Sequence, residues 1–194
     1  MQLTPQMLLN AYCQGYFPMA DPDDGKIYWY DPDPRTIIPL DHFHVSRRLH
    51  RSIRHGKFEI RVDTQFQKVM ELCAEPRTTQ DKTWISPELI RLYTILHYYG
   101  YAHSVETWQD GKLVGGVYGV NVGGLFAGES MFSRVRDASK VALVALVDRL
   151  KAKGFRLFDV QFTTEHLKRF GAVEISREDY KELLDHALQQ PVEW

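Results

Sequence analysis

The stretch from His103 to Gln161 does most to limit what this chain can fold into. It holds three runs of strand character: His103-Ser-Val-Glu106, Leu113-Val-Gly-Gly-Val-Tyr-Gly-Val120 and Leu125-Phe-Ala-Gly-Glu-Ser-Met-Phe-Ser133. A helical run from Asp137 to Lys153 and the apolar segment Phe155 to Gln161 follow. Asp110-Gly111 supplies the left-handed conformation of a tight hairpin, and Asn121-Val-Gly-Gly124 joins the next pair of strands. Antiparallel strands feeding a helix and a further strand bring Glu106, Glu129, Asp159 and Gln161 near one another. On a period of two, Phe155, Leu157, Asp159 and Gln161 share one face, where an acid and an amide need water, partners or a ligand. A site is therefore expected at these strand ends. Gly115-Gly116 inside a strand costs stability and points to a bulge or to something lying close on the sheet.

The flanking segments extend this frame. Thr4 caps and Pro5 opens a helix over residues 4–14, which Gly15 ends. A short strand, Ile27 to Tyr30, precedes Asp31-Pro-Asp-Pro-Arg35, where each proline restricts the residue before it and forbids regular structure. We place a boundary here, between a small N-terminal domain (1–34) and a larger one (35–194). The first segment is too short for its own core and must pack on the larger domain. Beyond it lie a strand from Arg35 to Leu40, a helix capped by Ser46, and a strand from Phe58 to Val62. Asp63 or Thr64 caps a helix carrying Phe66, Val69, Met70 and Cys73, a polar loop runs from Arg77 to Thr83, and Ser86-Pro87 opens a further helix. After Gln161 a short helix begins at Thr163 or Thr164, Ala172 to Ile175 reads as a strand, and Ser176 caps a last helix to Leu188.

Composition excludes several classes. Hydrophobic residues at 44% and charged residues at 25% are those of a soluble globular protein. No apolar run approaches the length of a membrane helix, and Met1-Gln-Leu-Thr-Pro5 lacks the order of a signal peptide, so a cytoplasmic protein with no membrane partner is expected. Cys13 and Cys73 have no metal-ligand spacing around them and read as two thiols, with a disulfide left open. The net charge of −1 hides a basic stretch: from Arg35 to Lys57 there are six Lys or Arg residues and one acid, Asp41. Arg47, Arg48, Arg51 and Arg54 fall on one helix, either as a solvated face or as a contact for RNA or phosphate. Zinc clusters, a Walker loop and a dinucleotide fingerprint are all missing, and none of Ser104, Ser130 and Ser133 sits in a nucleophile elbow. His103 and His166 read as structural. Amides at the start of the helix near Ala138, with Lys140 beside them, can hold an anion or a carbonyl, though a plain solvated turn is as ordinary an outcome. Carboxylates beside a glutamine suit the positioning of an amine better than covalent catalysis.

Blocks matching in order over nearly the whole chain carry a resemblance. They include Gly15-Tyr-Phe-Pro-Met19, Asp31-Pro-Asp-Pro-Arg35, Ser46-Arg47, Thr83-Trp-Ile85, Leu96-His97, the first two strand runs above, Gly128-Glu-Ser-Met-Phe-Ser133, Ala138-Ser-Lys140, Asp159-Val-Gln161 and Gly171-Ala172. The chain resembles the leucyl/phenylalanyl-tRNA–protein transferases, bacterial enzymes that add Leu or Phe to proteins beginning with Arg or Lys. The resemblance implies an α+β architecture, a small N-terminal α/β domain packed on an acetyltransferase-like (GNAT) domain with a mixed central sheet and flanking helices. It implies transfer of Leu or Phe, and of Met in some cases, from charged tRNA to an N-terminal α-amine, marking the product for N-end-rule degradation by a monomer that needs no cofactor or metal. Asp159 and Gln161 would then hold and activate the amine, with Glu129 shaping the same site. Trp84, Val117, Phe126 and Phe158 would line the side-chain pocket, with core packing the plain alternative for Val117 and Phe126. Met19, Glu106, Ser130 and Lys140 would meet the acceptor or the tRNA 3′ end, and the four arginines the tRNA backbone. Apolar lining discriminates by about 1–3 kcal/mol per methylene, which suits tolerance of Leu and Phe and rejection of polar side chains.

The chain departs from the family pattern at three places. Met19 stands where many members have Trp, Lys82 where a glycine is usual, and Val160 where the usual sequence is Asp-Cys-Gln; as the residue pointing away from the polar face, Val160 should be neutral. Two rival readings are an acyl-CoA-dependent acyltransferase, against which the missing pyrophosphate loop speaks, and a non-catalytic adaptor for basic N termini. An RNA-binding module would explain the arginines but not the Asp159/Gln161 pair.

Overall fold

The computed structural model describes residues 3–76 and 82–194, so most of the expected polar loop lies outside the described residues. Helix α1 (Pro5–Cys13) starts as its sequence dictates, with the Thr4 side chain accepting from the Met7 amide and proline in the first turn. Strands β1 (Phe17–Ala20) and β2 (Ile27–Tyr30) pair antiparallel as a sheet of their own. The main sheet has seven strands: β3 (Arg35–Ile37), β4 (Glu59–Val62), β5 (Ala102–Gln109), β6 (Lys112–Val122), β7 (Leu125–Ser133), β8 (Leu157–Gln161) and β9 (Val173–Ile175). They lie in the order β4-β5-β6-β7-β8-β3-β9, and β7–β8 is the parallel pair in an otherwise antiparallel sheet. The mixed α/β architecture expected from the sequence is present.

The two faces of this sheet carry separate cores, because alternate residues of a strand point to opposite sides. Tyr118, Val120 and Ala127 join α1, α3 (Phe66–Ala74) and α4 (Pro87–Tyr98) on one face. Val105, Val117 and Phe126 meet α5 (Ala138–Lys153) and Leu49 of α2 (Arg47–Arg54) on the other. Leu8, Tyr12, Phe17 and Ala20 are buried in the first core, so the N-terminal segment has no core apart from the rest. A short helix α6 (Glu165–Lys168), capped by Thr164, and α7 (Arg177–Leu188), capped by Ser176, complete the chain.

Two local expectations change. The strand from Arg35 stops at Ile37, because Pro39, which has no N–H to donate, leads into a 3-10 turn over Leu40–His42. Helix α3 has no side-chain cap bond of its own; Glu106 on β5 accepts from the backbone amides of Thr64 and Gln65, the two residues just before it. The paired glycines have the expected cause: a Cβ on Gly115 would lie 2.6 Å from the Ala138 Cβ, where the start of α5 rests on the sheet.

Candidate active site

The parallel pairing of β7 with β8 covers Leu125↔Leu157, Phe126↔Phe158 and Ala127↔Asp159. Immediately beyond it both strands bulge. On β7, Gly128 pairs with Gly119 and Ser130 with Tyr118, which leaves Glu129 as the extra residue. On β8, Asp159 pairs with Ile37 and Gln161 with Thr36, which leaves Val160 as the extra residue. Bulges bend a strand and re-aim its side chains. Gln161 adds a left-handed backbone, φ 60°. The result is a cavity of about 770 Å³ between the diverging strands.

Glu129, Ser130 and Gln161 supply polar groups to this cavity, and Val117, Phe158, Val160, Met131, Leu143 and Leu167 give it an apolar wall. Phe17, Met19 and Trp84 line it from the N-terminal segment and the approach to α4. The close approach of Phe158 needs a glycine at 128, where a Cβ would lie 2.9 Å from the Phe158 ring.

Glu129 is the chemically unusual group. Tyr12 donates a 2.7 Å hydrogen bond to its Oε1, and the Tyr12 and Tyr93 hydroxyls are bonded to each other. Burial pushes the Glu129 carboxyl up to about 8; the Tyr12 hydrogen bond pulls the other way, and the Asp159 charge adds to the rise. Burial and the same carboxylate hold Tyr12 and Tyr93 well above the usual tyrosine range. Nothing in the sequence singled out these two tyrosines, since each occupies an apolar position of its helix.

Asp159 differs from its expected role. It is fully buried and does not line the cavity. Its Oδ1 accepts from Arg35 Nε and from the Gln161 backbone amide, both at 3.0 Å; its Oδ2 accepts from Arg35 Nη2 at 2.6 Å and the Tyr180 hydroxyl at 2.9 Å. The expectation that Asp159 and Gln161 share one face fails because the bulge at Val160 and the left-handed Gln161 break the alternation. For the same reason Val160, expected to point away, lines the cavity. Gln161 is 6% exposed, and its Nε2 is buried with no hydrogen-bond partner among the described residues.

Other expected residues fall elsewhere. Glu106 does not join Glu129: its carboxylate accepts from Thr64, Gln65, Ser104 and Trp108, and it lies on β5, two strands away. Phe126 packs behind the wall, 6.0 Å from Phe158 and stacked on Trp194 at 5.3 Å. Lys140 is paired with Asp137 at 2.8 Å, and Arg48 reaches the same carboxylate at 3.5 Å. Arg47, Arg51 and Arg54 are exposed. Lys82 bonds Asp23 on the surface. Among the described residues Asp63, His97 and His103 cluster closely enough for a metal ion. That cluster is already closed: His103 bonds Asp63 and the Gly100 carbonyl, Asp63 takes the Ser104 amide and Trp194 Nε1, and His97 faces the Ala102 carbonyl.

A carboxyl of raised pKa, a glutamine amide without a partner among the described residues and an apolar wall thus meet in one cavity, built on two adjacent bulges. Residues 37–185 match the family described as Leucyl/phenylalanyl-tRNA protein transferase, and residues 1–33 match the N-terminal domain of that family. The chain is 61% identical over 189 residues to the leucyl/phenylalanyl-tRNA–protein transferase of Herpetosiphon aurantiacus, covering 97% of this chain and 96% of that one. The same-named protein of Gloeobacter violaceus is 54% identical over the same shares of each chain. Among solved structures, L-PGS from Bacillus licheniformis shows a slight likeness, 14% identical with a TM-score of 0.42, covering 84% of this chain and 55% of that one. The chain belongs to the leucyl/phenylalanyl-tRNA–protein transferase family, and it is an aminoacyltransferase.

Proposed function

We propose that this protein moves Leu or Phe from the 3′ end of charged tRNA to the α-amine of proteins that begin with Arg or Lys, and that Glu129 takes the proton that must leave the amine. The observation that carries this is the Glu129 carboxyl, held near 8 in a cavity shared with Gln161 and an apolar wall. A peptide α-ammonium has a pKa of about 7.7–8.0, so transfer of its proton to Glu129 is close to isoenergetic. The neutral amine then attacks the ester carbonyl. An N–C bond forms and the C–O ester bond breaks. A second amine proton goes to the departing ribose oxygen, and Glu129 returns its proton to solvent. Gln161, with both donor and acceptor character and a side chain not committed to the protein, orients the amine or carbonyl. Val117, Phe158 and Trp84 support recognition of an apolar side chain, and the presence of Met19 and Ser130 in the same lining supports a contact of theirs with the acceptor end.

The exposed arginines of α2 support a tRNA-backbone contact, and the division at residue 34, the GNAT-like reading of residues 35–194, a monomeric state and a cytoplasmic location belong to the same proposal. No helix among the described residues is long and apolar enough to cross a membrane. The test is incubation of the purified protein with Phe-tRNA and an Arg-initiated peptide, read by mass. Addition to that peptide and none to an Ala-initiated peptide is expected. Absence of addition, with tRNA bound and fold intact, overturns the proposal.

A further inference from the structure

Arg35 is buried, 1% exposed, and does not itself line the cavity, although its guanidinium lies 4.9 Å from the ring of Phe17, which does. Its guanidinium also reaches other parts of the chain. Nε and Nη2 hold both oxygens of Asp159 on β8, Nη1 donates 2.8 Å to the Gly15 carbonyl just after α1, and the Tyr180 ring of α7 lies 4.3 Å from its Cζ. Burial works against its charge, and the Asp159 carboxylate outweighs that and raises it.

Two of these tethers, to Asp159 and to Gly15, lead to groups of the cavity. The Asp159 oxygen bonded to Arg35 Nε also accepts the Gln161 backbone amide at 3.0 Å, which fixes the residue whose left-handed backbone turns its side chain to the cavity. The Gly15 carbonyl lies three residues beyond Tyr12, whose hydroxyl holds Glu129 at 2.7 Å. We propose, resting on the transfer reading, that Arg35 is the positioning residue of this site, one guanidinium that sets Gln161 through Asp159 and Glu129 through the end of α1 and Tyr12. Asp159 is then a positioning residue too: its accepting directions are filled by Arg35, Tyr180 and Gln161, so none is left for a substrate amine. A planar fork suits this work where an ammonium does not, because it supplies parallel bonds to one carboxylate and a third to a carbonyl.

Arg35 is also a charge near Glu129. The other groups facing Glu129 are Tyr12, Tyr93 and Tyr118 from α1, α4 and β6, and Asp159 from β8. Two readouts test this. In steady-state transfer, Arg35→Lys lowers kcat by roughly 10-fold with KM for Phe-tRNA within about threefold, as misplacement of reacting groups does. Arg35→Met paired with Asp159→Leu keeps the fold, since a buried ion pair can be replaced by apolar groups, yet lowers kcat by about 100-fold. Carbon-13 NMR titration of the Glu129 carboxyl, without substrate, moves to higher pH in Arg35→Gln, where the positive charge is lost, and stays near the wild-type position in Arg35→Lys.

A folded double variant with wild-type kcat overturns the proposal, as does a Glu129 titration unmoved in Arg35→Gln. If the wild type transfers nothing while the titration moves as stated, the transfer reading fails and the Arg35 coupling stands.

Discussion

Two glutamates on the same sheet, one fully buried and one half-buried, make opposite uses of the same side chain. Glu106 on β5 is fully buried and accepts from the Thr64 and Gln65 amides at 3.0 and 2.8 Å, from the Thr64 and Ser104 hydroxyls, and from Trp108 Nε1 at 3.0 Å. Glu129 on β7 accepts from Tyr12, with the Tyr93 hydroxyl as a second donor, and otherwise faces a cavity. A carboxylate offers about four lone-pair directions. Where donors fill them, as at Glu106, the group ties the start of α3 to the sheet. Where burial withholds them, as at Glu129, the proton is retained toward neutral pH and becomes available for exchange. Under the proposed mechanism, the number of donors and not burial alone separates the structural glutamate from the reacting one.

The sharpest way to break this comparison is to remove both carboxylates in turn. Glu129→Gln is expected to lower kcat for transfer to an Arg-peptide by about 100-fold or more, the usual worth of a positioned base, with the fold retained. Single-turnover measurement with Phe-tRNA checks it, and near wild-type turnover would remove Glu129 from the chemistry. Glu106→Ala should do the reverse. It strands the Thr64 and Gln65 amides that lead into α3 and costs about 3 kcal/mol in urea unfolding, while the folded protein keeps its kcat within about twofold.

The two sites should also separate by pH. The folded Glu129 carboxyl, near 8, lies above an unfolded value of about 4.3, so the native state holds a proton that the unfolded chain releases. That contribution is complete below about pH 4.3 and is lost as pH rises through 8. Glu129→Gln, which cannot lose this proton, should therefore gain Tm over wild type between pH 5 and pH 9, by about 4 °C or more at the alkaline end. An unchanged Tm difference across that range would show that Glu129 titrates as an ordinary carboxyl. The smallest effect belongs to Tyr12→Phe. Loss of its hydrogen bond, which lowers the Glu129 carboxyl, should move the pH–rate rise upward and slow transfer at pH 7 by roughly threefold.

Much of the scaffold was legible because its signals are local. Thr4, Ser46, Ser86, Thr164 and Ser176 each cap the next helix, as their spacing implies. Gly115 marks the approach of α5, and the hairpins fall at Asp110-Gly111 and Gly123. The site was legible as a set of residue types and less so as an arrangement. Glu129 and Gln161 reach one cavity as expected; Asp159 and Glu106 do not. Alternation places side chains correctly only while a strand stays regular, and both strands bulge at the residues that matter.

The sequence by itself determined most of the strands and helices, five of the helix caps, the apolar faces and the family, since each depends on neighbours within a few residues or on matching blocks in order; it did not show β1 as a strand or the missing cap of α3. Tertiary structure alone decided which acid is free. Tyr12 and Tyr93 come to Glu129 from two different helices, and Arg35 comes to Asp159 from 124 positions away in sequence. Hydrogen bonds and desolvation act over a few ångströms in space, and no spacing along the chain encodes that distance.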